Sequence, residues 1–355
     1  MGLPEVKITF TSKANTAMQR SAQGVVMLVL EDTTSSVAAT ITEYKTFESV
    51  VEKDWTPENY DLIEKTFMGS PSKVMIVRRG EVAENPISGV LPKIKNKRFN
   101  YLAVPGAEEE EATAIKTFIL ERRDKEDKTV KAVLADTAAD HEGIINFTTA
   151  TLKVGEKSYT GSQYTARIAG ILAGVPFTES ATYYVLPEVT EIEEKEDPNA
   201  AIDAGELILV DDGEKIKIGR AVNSLTTLEG GKNAEWQKIK IVEIFDMIKD
   251  DVRDTFNNKY VGKVPNIYDN QLLFVIEVNN YFKQLADEQI LDNRAENKAT
   301  IDIEALRAAW KAIGSPYADL EDDKLKEMSF GSTVFLSGAI KPVDAIEDLQ
   351  FKISS

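Results

Sequence analysis

Apolar and polar positions alternate in two ways along this chain, and the alternation marks its elements. Near the start, Val6, Ile8 and Phe10 interleave with Glu5, Lys7 and Thr9, the period of two of a half-buried strand. Residues 11–20 are polar and read as a linker. At the other end Leu349, Phe351 and Ile353 fall on one face, with Asp348, Gln350 and Lys352 on the other. Before them Val334 and Leu336 alternate with small polar residues, and Gly338 and Pro342 interrupt the run as hinges. A strand at the end of a chain has no later segment of its own to pair with. It folds back, or it completes the sheet of another subunit; the second reading suits two matching ends.

Between these arms the pattern changes. Residues 24–30 form an unbroken apolar run, as in a strand covered on both faces. Residues 47–53 and 57–68 read as helices, the second with Pro57 in its first turn. Strands are expected at 73–78, 100–104 and 130–135. A helix precedes the last of them, opening on Glu108 to Glu111 and closing on Arg122, Arg123 and Lys125, charges that suit its dipole. Residues 144–154 supply one or two more strands. This alternation predicts a mainly parallel sheet.

From residue 160 the texture differs. Residues 162–173 read as a helix whose Ala166, Ala169, Gly170 and Ala173 allow close packing. Segments 182–187 and 189–192 read as extended, and 222–228 as a continuation of the sheet. Asp211-Asp212-Gly213 marks a hairpin turn. Residues 234–260 and 270–285 are long helices, the second apolar almost all round and so expected at a core. A shorter helix at 303–313 ends on Gly314. The fold class is α/β (α+β overall). It is divided as an N-terminal arm (1–20), an outer α/β domain (21–155), an inner domain with a mixed sheet and long helices (156–340) and a C-terminal strand arm (341–355).

Composition narrows the function. The 355-residue chain carries a net charge of −17, which argues against nucleic acid or an anionic membrane as partner. It has no cysteine and a single histidine, His141, so neither a thiolate site nor a His-based metal cluster can be built within one chain. No apolar run approaches the ~20 residues that span a bilayer, and the first residues lack a signal-peptide pattern, so cytoplasmic synthesis is expected. There is no G-x-S-x-G elbow. Glu229-Gly230-Gly231-Lys232 fails as a phosphate loop because Thr226 stands where a glycine is needed. Acidic pairs such as Asp211/Asp212 and Asp250/Asp251 read as turn or helix-surface residues. No enzyme site and no cofactor are predicted. The alternatives are a carboxylate-dependent α/β hydrolase and a non-contractile surface-layer subunit.

Four stretches resemble the tail sheath proteins of contractile phages and phage-tail-like bacteriocins of Gram-positive hosts. They are Tyr164 to Gly174 followed by Ser180-Ala181-Thr182-Tyr183-Tyr184; Ile218 to Thr227; Trp236 to Lys263; and Ser337 to Leu349 with Pro342-Val343-Asp344-Ala345-Ile346-Glu347-Asp348-Leu349. The resemblance implies a helical homopolymer around an inner tail tube, bounded by baseplate and tail terminator proteins. It implies a mesh in which the arms of each subunit add strands to sheets in neighbours, and contraction that drives the tube through a target envelope. Such particles assemble in the bacterial cytoplasm and leave on lysis. Lys232, Lys238 and Lys240 are candidate tube contacts. The intersubunit residues are Val6, Ile8, Phe10, Leu349, Phe351 and Ile353.

Overall fold

The computed structural model describes residues 18, 24–34, 41–80 and 86–354; the strand expected at Val6, Ile8 and Phe10 lies outside them. Two compact units emerge. One comprises Ser21–Asp250 with Val343–Ser355, and the other is built on Asp251–Pro342.

The first unit starts with β1 (Val25–Glu31), β2 (Ile41–Tyr44), α1 (Pro57–Phe67), β3 (Lys73–Arg79), α2 (Ile87–Ile94), β4 (Tyr101–Ala103), α3 (Glu109–Asp124), β5 (Lys131–Ala135) and β6 (Ile144–Phe147). The hairpin β7 (Thr151–Val154) and β8 (Lys157–Thr160) leads into α4 (Gly161–Gly174). Then come β9 (Glu191–Ile192), α5 (Pro198–Asp203), β10 (Glu206–Leu207), β11 (Leu209–Asp211) and β12 (Ile216–Ile218). A long helix, α6 (Ile239–Lys259), contributes its first half here.

Seven strands form one sheet in the order β10-β6-β5-β4-β1-β3-β2, parallel except for the edge strand β2. Its central strands are buried on both faces, which explains the continuous apolar run of β1. Val26, Leu28, Val74, Ile76 and Val133 face α1 and α4 through Ile63, Ile168 and Ile171. Met27, Val29, Met75, Leu102 and Leu134 face α2 and α3 through Val90, Ile94, Ile115 and Ile119. The boundary expected at 155/156 does not divide this packing. β10 extends the sheet beside β6, and α4 lies on the face that α1 shares.

Several local expectations are met. The small-residue helix is α4, capped by reciprocal bonds between Thr160 and Gln163. The turn between β11 and β12 has Gly213 at φ +88°, and the Asp212 carboxylate accepts from the backbone N–H groups of Glu214 and Lys215. Others are corrected. The helix expected at 47–53 is instead two single 3₁₀ turns, Phe47–Ser49 and Glu52–Asp54, separated by the extended Val50 and Val51. Residues 222–228 make no ladder beyond the bridge Val222–Lys238. Asn223 and Ser224 donate to the carbonyls of Gln237 and Ile144, and the next three N–H groups go to side chains: Leu225 to Asn223, and Thr226 and Thr227 to Asp140. That bridge also holds Lys238 extended, so the long helix begins at Ile239 rather than 234.

The second unit takes the rest of α6, then α7 (Tyr268–Asp287), β13 (Lys298–Ile301), α8 (Ile303–Ala312), α9 (Asp322–Leu325) and β14 (Leu336–Ala339). β13, unmarked by any sequence pattern, pairs antiparallel with β14. The Asn279 side chain of α7 brackets Ala299 of β13, accepting from its N–H at 2.7 Å and donating to its carbonyl at 3.0 Å. α7 is not buried all round. Phe274, Val278, Tyr281 and Leu285 face inward, while Leu272, Leu273 and Ile276 are exposed.

Candidate assembly site

The C-terminal segment returns to the first unit and is held there by its acids. Glu347 is the centre of the contact, its side chain only 7% exposed. One carboxylate oxygen accepts from the hydroxyls of Ser180, at 3.1 Å, and Thr182, at 2.7 Å. The other faces Lys238 Nζ at 3.6 Å and Arg220 Nε at 3.7 Å. The Thr182 hydroxyl also accepts from Ala221 N–H at 3.0 Å, which fixes its orientation. On either side, Asp344 pairs with Lys238 and Asp348 pairs with Arg220 at 2.6 Å. Burial disfavours the Lys238 charge, yet Asp344 and Glu347 outweigh it and hold its pKa above the usual lysine value. The Asp348 bond raises the Arg220 pKa, and the guanidinium in turn holds Asp348 below the usual carboxylate range.

The apolar residues of the same segment point away from this contact. Ile346 is 99% exposed, Leu349 86%, and Phe351 and Ile353 76% each. Residues 343–354 pair with no strand among the described residues. Four large apolar side chains within eight residues are therefore open to water, an unusual density for a folded surface.

The expected hinges have different settings. Gly338 sits within β14 opposite Ala299, where an added Cβ would lie 2.7 Å from the Lys298 carbonyl oxygen. Pro342 makes an isolated bridge with Leu291. β14 offers an edge. Because Ala299 turns both its backbone groups outward to Asn279, the Ala299–Gly338 pair exchanges no ladder bonds. Gly338 must then turn its own N–H and C=O to the far side of β14. That side has no partner strand among the described residues.

The three lysines weighed as tube contacts are engaged within the chain. Lys232 pairs with Glu142 at 2.7 Å, and Lys238 belongs to the C-terminal contact. Lys240, 7% exposed, donates to the Thr178 carbonyl at 3.1 Å, and burial pulls its pKa down. His141 is buried too: its Nδ1 accepts from Gly143 N–H, and its Nε2 lies 3.1 Å from Asp124.

The densest group of buried charges is structural. Lys131, 1% exposed, meets Asp246 at 2.6 Å and Glu243 at 3.0 Å, and Arg123 grips both oxygens of Asp246. These bonds tie the start of α6 to α3 and β5, and each charge is met by an opposite one. Among the described residues no cluster of three or more His, Cys, Asp or Glu side chains is set to hold a metal. No described helix is long and apolar enough to cross a membrane.

Sequence reading named the apolar residues that the segment exposes, and Lys238 in another role, but gave no signal that Ser180, Thr182, Arg220 and Glu347 meet. Arg220, Ser180, Thr182 and Glu347 lie up to 167 residues apart, and no local period links them. The only signal was the acidic cluster Asp344, Glu347 and Asp348 beside an apolar alternation.

A sheet unit, a helical unit and a terminal segment displaying apolar side chains define an assembly protein, and the comparisons with known proteins agree. Residues 231–354 match the phage tail sheath C-terminal domain and residues 80–224 the phage tail sheath protein central domain. A tail sheath protein of Clostridium phage phiCD119 is 35% identical, over 99% of both chains. The chain belongs to the phage tail sheath family, and it is a structural subunit of a tail sheath. Its fold is that of solved sheath proteins. The sheath tail protein of Desulfitobacterium hafniense superposes with a TM-score of 0.75 at 17% identity, covering 97% of this chain and 98% of that one. The helical sheath of the anti-feeding prophage in its contracted state superposes at 0.69 and 15% identity, covering 100% and 99%.

Proposed function

We propose that this subunit polymerises into a helical tube around an inner tail tube, and that the lattice contracts to drive that tube through a target envelope. In this reading the C-terminal segment of one copy adds a strand to the open edge of β14 in another. The observation that carries it is the exposure of Leu349, Phe351 and Ile353, three alternate residues on a segment without a ladder partner. A two-stranded sheet is marginal by itself, so β13–β14 gains from a third strand. Main-chain bonds supply affinity, and the alternating side chains set register. Seven residues after the acidic contact reach ~23 Å when extended, enough to enter a neighbouring subunit.

The fold of the contracted anti-feeding prophage sheath supports contraction by rigid units joined through flexible links. Pro342 and its neighbours are the proposed link at this end, and Val6, Ile8 and Phe10 the proposed strand at the other. Lys232 and Lys238, partly exposed, stay within the proposal as tube contacts; Lys240 is too buried to serve. Baseplate and terminator proteins bound the polymer, which assembles in the bacterial cytoplasm and is released on lysis. No catalytic step is assigned.

Deletion of residues 349–355 tests this. The expected product is a folded, soluble subunit that no longer forms tubes in negative-stain electron microscopy. Long tubes from the truncated protein would reject the strand-addition reading.

A further inference from the structure

The acidic contact at the base of the C-terminal segment has a consequence for assembly. An arm that wanders freely must be ordered when it binds, and that ordering weakens association. Here the chain is already held at residues 344–348, while Leu349 onward is free of the subunit. Glu347 takes the inward side and Ile346 the outward side, so the contact also selects which face of the arm a second copy meets.

We infer that Glu347 is a positioning residue for assembly, clamping the arm base on Ser180, Thr182, Arg220 and Lys238 so that Leu349, Phe351 and Ile353 are presented in one direction. The inference rests on the strand-addition reading above and deepens it. Three features favour Glu347 over its neighbours. Its carboxylate is the buried one of the three acids. It receives two hydroxyl donors. Its second oxygen has no direct hydrogen bond and depends on the two cations at 3.6 and 3.7 Å. The contact is made wholly within the first unit, so it exists before any neighbour arrives.

Two measurements on the full-length subunit test the role. The chain has no native cysteine, so Ile346→Cys gives a single nitroxide site. The expected spectrum is broadened with Glu347 in place and sharp in the Glu347→Ala background. A sharp spectrum in both would overturn the clamp. The second measurement is the critical concentration for tube formation by sedimentation, with thermal melting as the control for folding. Glu347→Ala should raise that concentration about tenfold, the equivalent of losing one charge-assisted contact. Glu347→Gln, which keeps acceptors for the hydroxyls, should fall between. Wild-type critical concentration in Glu347→Ala would overturn the inference. If Glu347→Ala proves unstable, Ser180→Ala with Arg220→Gln removes the same hold from the other side, and an unchanged critical concentration there is equally fatal to it. The deletion of 349–355 reports separately. Tubes from that deletion reject strand addition, whereas its failure beside a normal Glu347→Ala rejects only the clamp.

Discussion

Gly170 of α4 lies against Thr66 of α1 so closely that a Cβ on the glycine would stand 2.0 Å from the Thr66 carbonyl oxygen. Gly174 is tighter still against Gly69, at 1.7 Å. The two helices meet backbone to backbone, and this crossing covers one face of the sheet. Gly170→Ala is therefore predicted to cost about 3 kcal/mol or more, the upper range for overpacking, since the obstacle is backbone and cannot swing aside. Urea unfolding checks it; a change below about 1 kcal/mol would refute the packing argument.

The buried ion network predicts a second loss. Arg123→Met leaves Asp246 with only part of its compensation at a buried site. Breaking a buried pair from one side costs about 3–5 kcal/mol. The unfolding midpoint in urea should fall accordingly. Lys125→Met, which removes an exposed pair with Glu121, should leave it almost unchanged.

Acid should destabilise the first unit within a definite window. For Glu188, burial alone would raise the pKa, but Arg167 at 2.6 Å more than reverses it. Glu142 is likewise lowered, by His141, Arg123 and Lys232 against burial, and Asp246 by Lys131 and Arg123. In the unfolded chain these carboxyls titrate near 4.5 for glutamate and 3.8 for aspartate. A lowered folded pKa means that the unfolded state binds protons first as pH falls. Their contribution is present above about pH 4.5 and is lost as pH drops through the folded values. The melting temperature should hold from pH 7 to 5 and then decline, and a flat profile to pH 3 would contradict it.

Surface residues of the arm should separate assembly from stability. Leu349→Asp or Phe351→Asp should shift subunit stability by no more than about 0.5 kcal/mol, because the side chains are exposed. Either should abolish tube formation. Gln350→Glu, on the opposite face of the alternation, should leave tubes intact, and failure of that contrast would remove the register argument.

Gly338 gives a further separation. A valine there would drive its Cβ into the Lys298 carbonyl and push β14 from β13. Tube formation should fail in Gly338→Val while the melting of the sheet unit persists, measured by hydrogen exchange at β1 and β4.

The elements most legible in the chain were those with short-range causes. The apolar run of β1, the small face of α4 and the Asp-Gly turn before β12 each appear where local pattern placed them. The misreadings share a different cause. Residues 222–228 look like a strand, yet the N–H groups of Leu225, Thr226 and Thr227 find side-chain acceptors at Asn223 and Asp140. α7 looks like a core helix, yet Leu273 and Ile276 stay in water. β13, only four residues long, carries no signal and is made a strand by β14 and Asn279.

By itself the sequence determined the local grammar: which stretches become strands or helices, where turns fall, and that residues 348–353 alternate apolar and polar. These follow from backbone geometry and side-chain period, which act over a few residues. The tertiary structure alone decided which charges meet. Lys232, Lys238 and Lys240 look alike in sequence. One is tied to Glu142, one to the C-terminal acids, and one is buried against a carbonyl. Charges have no period, and their partners are set by which segments the core brings together. So Glu347 could be placed on Ser180 and Thr182 only once the sheet and its helices had packed.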